Sequence, residues 1–223
     1  YTYTSGPPAT FSELFGVYLA HLWDDSYDSG TGTFPDSVGG ANVDNETATI
    51  PTQQTINGHN YPSFDGNLNS LKGPDISTLD GLSSYCLFGA CKVAPGAYGA
   101  VAGKSDSGIQ FSFEMDFATG YIVAYANNGS DFISSTTNIA TSTWTRFILN
   151  VVGNSAALYI NGVSEGTSTF SSLGAYPGSY IYIGNATNKQ LLGDVAVFGI
   201  ATTGLNLTQV GYLDTLIDNW LGN

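Results

Sequence analysis

The sequence predicts an all-β antiparallel sandwich closed by one C-terminal helix, and three observations carry that expectation. Between Trp144 and Phe170 two turn dipeptides, Gly153-Asn154 and Asn161-Gly162, are separated only by Ser155–Ile160. Gly and Asn tolerate the positive φ that two-residue hairpin turns require. The flanks alternate as strands do: Phe147, Leu149 and Val151 share one face, Arg146 and Asn150 the other, and Ala156, Leu158 and Ile160 continue the apolar face across the turn. The composition agrees, with 28 Gly, 42% hydrophobic residues and only 10% charged residues in 223, enough for one core whose polar surface is mostly Ser, Thr, Asn and Gly.

The elements follow in order. Residues 1–14, opening YTYTSGPPATF, read as a polar, proline-containing arm that is disordered or packs on a neighbour. Glu13–Trp23 is apolar and fits a short helix or a strand equally. DDSYDSGTGTFPDSVGG is a long acidic loop, and Tyr61–Gly66 a short strand entering a turn. SSYCLFGACKV is a buried strand with a turn at Gly89. In GIQFSFEMDFATGYIVAYANNGS, Ile109, Phe111, Phe113, Met115 and Phe117 face one way and Gln110, Ser112, Glu114 and Asp116 the other, with a turn at Thr119-Gly120. The meander follows, then SYIYIGN and LLGDVAVFGIA as two further strands. A helix over 206–221 ends the chain: Asn206 and Gln209 have capping-box spacing, and Val210, Leu213, Ile217 and Trp220/Leu221 recur at helical period. With no long linker and no repeat, 15–223 is one domain.

Charge narrows the function. Eighteen acids stand against five scattered bases, Lys72, Lys92, Lys104, Arg146 and Lys189, for a formal charge of −13. No basic stripe exists to neutralise phosphates, which argues against nucleic acid and anionic membranes as partners. The acidity fits a soluble surface in a salty extracellular medium; it also fits bound Ca²⁺ or a cationic partner. No apolar run is long enough to span a bilayer, so membrane insertion is not expected. The chain begins at Tyr1 without a basic and apolar leader, as expected of a mature or trimmed product, or of one never exported by that route. Cys86 and Cys91 fit a small disulfide loop across Gly89, and two buried free thiols fit equally; no second pair exists for a zinc site.

Several stretches then carry a resemblance. STWTRFILNVVGNSAALYINGVSEGT, YIYIGN and LLGDVAVFGIATTGLNLTQVGYLDTLIDNWLG, with HLWDDSYDSGT and PSFDGNLNSL upstream, resemble the laminin-G-like, or concanavalin-A-like, jelly roll over roughly Phe15 to Asn223. The resemblance implies a two-sheet jelly-roll sandwich of the kind found in secreted bacterial proteins, adhesins and phage particles, which commonly bind glycans or proteins and often hold a structural Ca²⁺. Val197 stands where the family often has Glu, so any role of that Glu is absent here.

The candidate chemistry is of three kinds. Sugar sites combine aromatic faces with Asn, Asp and Gln hydrogen bonds; Tyr125, Asn127, Asn128 and Asp131 cluster at a hairpin tip, and Tyr176 and Tyr180 form a second group. Among Asp24, Asp25, Asp28, Asp36, Asp65 and Asp194, the pair Asp65 and Asp194 is the expected Ca²⁺ site, because converging carboxylates repel unless a dication neutralises them. Glu114 and Asp116 resemble the first two acids of the E-x-D-x-x-E motif of jelly-roll glycanases, but the third position is Thr119, and without a proton donor that mechanism fails. The acids are then expected on a solvated strand face. His21 and His59 read as packing or surface residues, and Trp23, Trp144 and Trp220 as core anchors. Together these give a non-catalytic recognition or structural domain on an extracellular or virion surface. Its partner is a glycan, a cell-surface receptor or neighbouring virion subunits, with a homo-oligomer as one allowed state. The alternatives are a jelly-roll glycoside hydrolase and an architectural spike or capsid protein without ligand.

Overall fold

The structure is a computed structural model that describes residues 7–67, 69–97, 99–106, 108–116, 118–186 and 189–223. Phe117, expected beside Phe113 and Met115, lies outside them. Two helices, α1 (Phe11–Phe15) and α2 (Leu207–Leu221), accompany the strands. In chain order these are β1 Leu19–Trp23, β2 Thr33–Phe34, β3 Val43–Asn45, β4 Thr52–Ile56, β5 His59–Asp65, β6 Leu71–Lys72, β7 Tyr85–Val93, β8 Gly99–Ser105 and β9 Phe111–Met115. They continue with β10 Tyr121–Ala126, β11 Asp131–Asn138, β12 Trp144–Val152, β13 Ser155–Ile160, β14 Val163–Thr169, β15 Tyr180–Ile183, β16 Asn185–Ala186, β17 Lys189–Gln190 and β18 Leu192–Ala201. A back sheet runs β14-β13-β12-β7-β18-β5-β4, with β1 also paired to β18; a front sheet runs β11-β10-β9-β8-β15-β6-β3-β2. β16 and β17 form a separate small hairpin.

The meander forms as its turns require. Phe147 pairs with Ile160, Leu149 with Leu158 and Val151 with Ala156. Gly153, Asn154, Asn161 and Gly162 all have positive φ, the backbone of the primed hairpin turns. This apolar face meets Phe111, Phe113, Met115, Ile122 and Ala124 of the front sheet in the main core. Arg146 and Asn150 point to the other side, and that side is not solvent. Phe88, Ile148, Tyr159 and Val197 form a second apolar layer there with Phe11, Leu14 and Phe15 of α1 and Val210, Leu213 and Ile217 of α2. Asn150 exchanges two hydrogen bonds with the Leu205 backbone, at 2.8 and 2.7 Å. The fold therefore has three layers, helices on back sheet on front sheet.

Helix α2 starts at its expected cap. Asn206 accepts from the Gln209 N–H and the Gln209 side chain accepts from the Asn206 N–H, both at 3.0 Å. Gly222, at φ 85, ends it in the left-handed conformation. The N-terminal arm differs from expectation. Thr10 caps α1 by accepting from the Glu13 N–H, and Phe11 and Leu14 are buried. The boundary drawn between residues 14 and 15 thus falls inside a packed helix, and Glu13–Trp23 is helix and strand in succession rather than either alone.

The disulfide expectation is corrected. Gly89 makes no turn, and Tyr85–Val93 is one continuous strand with both cysteines free and buried. Residues five apart on a strand face opposite sides and lie about 16 Å apart along it. Cys86 accordingly sits in the helix-side layer and Cys91 in the main core. Gly89 is small for packing instead: a Cβ there would lie 2.7 Å from the Phe147 ring. Burial pushes the Cys86 thiol up, and burial with Asp194 nearby pushes Cys91 up to about 12. Native protein at pH 8 is expected to take up no iodoacetamide. In guanidinium without reductant it should gain two carbamidomethyl groups by intact mass, and uptake of none under those conditions would restore the bridge.

Candidate functional site

The inner face of the front sheet is spent on the core, which leaves its outer face. Strand register places one residue from each of the eight strands in a single row there: Phe132, Tyr125, Ser112, Gly103, Tyr182, Lys72, Asp44 and Thr33. Side chains directly opposed on neighbouring strands share a face. The row reads as two aromatics, two small residues, an aromatic, then charged and polar groups. Phe132, on the edge strand β11, is 58% exposed, and its ring lies 6.3 Å from that of Tyr125. Three strand spacings separate Tyr125 from Tyr182, about 14 Å. Ser112 and Gly103 make the low floor between them.

The Tyr182 end is a tight polar group. The Tyr182 hydroxyl donates to Asp106 Oδ2 at 2.8 Å. Lys72 Nζ lies 3.2 Å from Asp106 and 3.3 Å from Glu46, and 4.2 Å over the Tyr180 ring. Burial works against the Lys72 charge, but hydrogen bonding with Tyr182, Asp106 and Glu46 outweighs it and holds the ammonium above its ordinary range. Burial first, and Asp106 next to it, pushes the Tyr182 hydroxyl up to about 12. Asp106 has φ 132, a region L-residues rarely enter. Such a conformation costs on the order of 1–3 kcal/mol and persists where other contacts hold it; here they are Tyr182 and Lys72.

The hairpin-tip residues form a wall rather than a set of open contacts. Asn127 Nδ2 donates to Asp131 (2.8 Å) and the Ser172 carbonyl (3.2 Å), while its Oδ1 accepts from the Gly174 N–H. Asp131 accepts from the Ser171 N–H, and Asn128 from the Ile109 N–H. Their polar atoms pin the 171–178 segment over one end of β9. Tyr176 lies against Gly108 and Gly174, where a Cβ would meet its ring at 2.5 and 2.9 Å. Of the six expected residues, Tyr125 and Tyr180 face the row, and Asn127, Asn128, Asp131 and Tyr176 build the wall beside it. Tyr182, Phe132, Lys72 and Asp106 were not expected; only their cross-strand register unites them, and pairing is not visible in single segments.

The second wall overturns the solvated strand face. Gln110, Ser112 and Glu114 are buried, at 0, 1 and 4% exposure. Gln110 Nε2 donates to Asp80 and to the Gly174 carbonyl, both at 2.6 Å. Ser112 Oγ donates to Glu114 Oε1 at 2.9 Å, and Lys189 of the small hairpin pairs with Glu114 Oε2. A cavity of about 310 Å³ opens beside this pair, lined by Glu114, Asp116, Val123, Tyr125 and Lys189. Asp116 caps its own turn by accepting from the Ala118 N–H.

Asp65 and Asp194, the pair expected to hold Ca²⁺, have separate partners. Asp194 is paired with Lys92 at 2.6 Å, while Asp65 is exposed and accepts from the Asn67 N–H. Lys92 supplies the neutralisation for which a dication was expected. Among the described residues no group of three or more His, Cys, Asp or Glu is placed to hold a metal. Every basic side chain, in fact, is matched: Lys104, fully buried, meets Asp75 (2.8 Å) and Asp80 (3.5 Å), and Arg146 meets Asp214 and Asp218. His21 stacks on Trp23 and holds Asp36 at 2.7 Å. Trp23 is a core residue as expected, whereas Trp144 is only half-buried, with Lys92 Nζ 5.2 Å from its ring centroid.

With this architecture in view, the chain belongs to the concanavalin A-like lectin/glucanases superfamily, whose family model matches residues 65–210. No curated protein matches its sequence. Among solved structures it resembles domain 4 of an extracellular arabinanase from Geobacillus stearothermophilus, in complex with arabinotriose: 16% identity, TM-score 0.66, 89% of this chain and 98% of that one. It also resembles the binding domain of Paraclostridial Mosquitocidal Protein 1: 16% identity, TM-score 0.67, 88% of this chain and 51% of that one. A third is Trypanosoma rangeli sialidase in complex with sialic acid: 10% identity, TM-score 0.67, 99% of this chain and 37% of that one. The chain thus spans about half of the toxin domain and about a third of the sialidase.

Two outcomes test this geometry. Burial pushes the Asp36 carboxyl up, but the His21 ring and the N–H groups of Leu22, Ala41 and Gly39 outweigh it and hold it far below the usual carboxylate range. A depressed carboxyl stabilises fully above its unfolded value of about 3.9 and loses that contribution as pH falls toward the folded value. The stability gap between the native chain and Asp36→Asn should therefore be full at pH 7, about 3 kcal/mol, and shrink below pH 4 in urea melts. Asp106→Gly relieves the strained φ while removing the Tyr182 and Lys72 contacts. It should keep or raise the melting temperature while weakening any ligand bound on the row.

Proposed function

We propose that this chain is a non-catalytic glycan-binding domain that lays a short oligosaccharide along the cross-strand row of its front sheet. The row itself carries the reading: the exposed Phe132 beside Tyr125 at one end, a floor of small residues, and at the other a lysine with carboxylates next to the exposed Tyr180, with Tyr182 buried beneath. Sugar rings present apolar faces to aromatics and hydroxyls to charged and amide groups. The ligand class is a neutral glycan, because the net charge of −13, with each base already matched, disfavours a polyanion. The arabinotriose-bound neighbour supports this reading. An extracellular setting, a virion surface among them, suits a chain of low charge content with a Ser-, Thr- and Gly-rich surface. Among the described residues no helix is long and apolar enough to cross a membrane.

The experiment is a glycan array followed by calorimetry on the best neutral ligand. Phe132→Ala and Tyr125→Ala should each weaken binding by about tenfold, the scale of losing one stacking contact, with unchanged melting curves. Affinity unaffected by either substitution would move the site elsewhere. Polysaccharide turnover, seen as new reducing ends and abolished by Glu114→Gln, would instead establish the glycoside hydrolase.

A further inference from the structure

We propose that the glycan laid on the front row is a branched one, and that the cavity beside Tyr125 takes a neutral single-sugar branch from it; the inference rests on the front-row reading. The cavity, of about 310 Å³, is lined by Glu114, Asp116, Ala118, Val123, Tyr125 and Lys189. Ligand pockets run from roughly 300 to 1,000 Å³, so this one has room for one ring rather than a chain.

Register fixes where the cavity lies. Tyr125 pairs with Ser112 in the row, and Val123 pairs with Glu114 two residues along the same strands. Alternate residues share a face, and two residues span about 7 Å. The row runs across the strands, so a step along them is a step sideways from a glycan lying on it. Tyr125 belongs to both row and cavity, and Ser112 of the row's floor donates to Glu114 Oε1 at 2.9 Å. A backbone bound along the row therefore passes beside the cavity, and a substituent leaving it near Tyr125 enters.

The walls are held in place. Glu114 is buried, and Lys189 of the β16–β17 hairpin is ion-paired with its Oε2. Val123 and the half-buried Tyr125 supply apolar surface. Asp116 Oδ1 accepts from the Ala118 and Thr119 N–H groups at 2.8 and 3.3 Å, and the Gly120 N–H donates to the Asp116 carbonyl at 2.8 Å, so the turn fixes this carboxylate. Its Oδ2, on an exposed residue, has no protein donor among the described residues.

This set selects a neutral branch. A hydroxyl donates to a carboxylate and accepts from an ammonium, so a ring with neighbouring hydroxyls suits Asp116, Glu114 and Lys189 together, while its apolar face lies on Val123 and Tyr125. An acidic branch would meet two carboxylates, and a cationic one would meet the Lys189 ammonium.

Calorimetry on pairs of oligosaccharides sharing one backbone, linear or branched, tests the inference. The pairs carry arabinose on arabinan, arabinose on xylan and galactose on mannan, with glucuronic acid on xylan as the acidic arm. At least one neutral branch should raise affinity about tenfold over its linear backbone, the scale of one or two hydrogen bonds, and glucuronic acid should not. Val123→Phe and Ala118→Trp fill the cavity and should bring the ratio of branched to linear affinity to about one. Ala118 is exposed, so its variant disturbs no core packing. The proposal is overturned if no neutral branch binds more tightly than its backbone, if only the acidic branch does, or if both variants keep the gain. The front-row reading fails separately, as linear binding that Phe132→Ala and Tyr125→Ala leave intact, and silence of every probe overturns both.

Discussion

The back sheet must be covered on both faces, and the contact that secures its second cover is the Arg146 fork on α2. Arg146 Nε and Nη2 reach the two oxygens of Asp214 at 2.8 and 3.1 Å, and Nη1 reaches Asp218. Asp214 and Asp218 are one helical turn apart, so one guanidinium reads the helix face and its register together. The pair is mostly buried, with 16 and 15% of the Arg146 and Asp214 side chains exposed. Either charge left alone there would cost more than the pair contributes. Without this helix, Phe88, Ile148, Tyr159 and Val197 would face water, and the strands beneath the site would lose half their packing.

Covering the back sheet with helices leaves the outer face of the front sheet as the open sheet surface. A sandwich uses one face of each sheet for its core, so exposed aromatics on the remaining face are a departure that burial does not explain. The same face concentrates other costs: an aspartate at positive φ, a lysine held between two carboxylates, and a buried Glu114 needing both Ser112 and Lys189. Stability alone would favour none of these. Their convergence on one row supports reading it as a site.

Charge follows the same division. The five bases pair with eight acids, Glu46, Asp75, Asp80, Asp106, Glu114, Asp194, Asp214 and Asp218, with Lys72, Lys104 and Arg146 each shared between two. Asp36 is held by His21 and by backbone N–H groups instead. The acids beyond these leave the surface strongly negative, so the excess charge is a property of the exterior, while the interior pairs set the geometry.

Local signals accounted for the meander, the terminal helix and the sandwich class, because turn dipeptides, two-residue alternation and a capping box act between neighbours in the chain. Asn206 and Gln209, or Asn161 and Gly162, carry their meaning wherever the chain goes. The solvated face expected for Glu114 and the bridge expected for Cys86 and Cys91 failed for one reason, and Asp194, expected to share a metal with Asp65, pairs with Lys92 for the same reason. Each depended on what lies across a sheet: a hairpin delivering Lys189, a strand running straight through Gly89, and a Lys92 on the neighbouring strand. The candidate site is of the same kind. Its aromatics come from β10, β11 and β15, and cross-strand register between segments as far apart in the chain as Lys72 and Tyr182 is set by the packing of the whole core, which no single stretch of the chain contains.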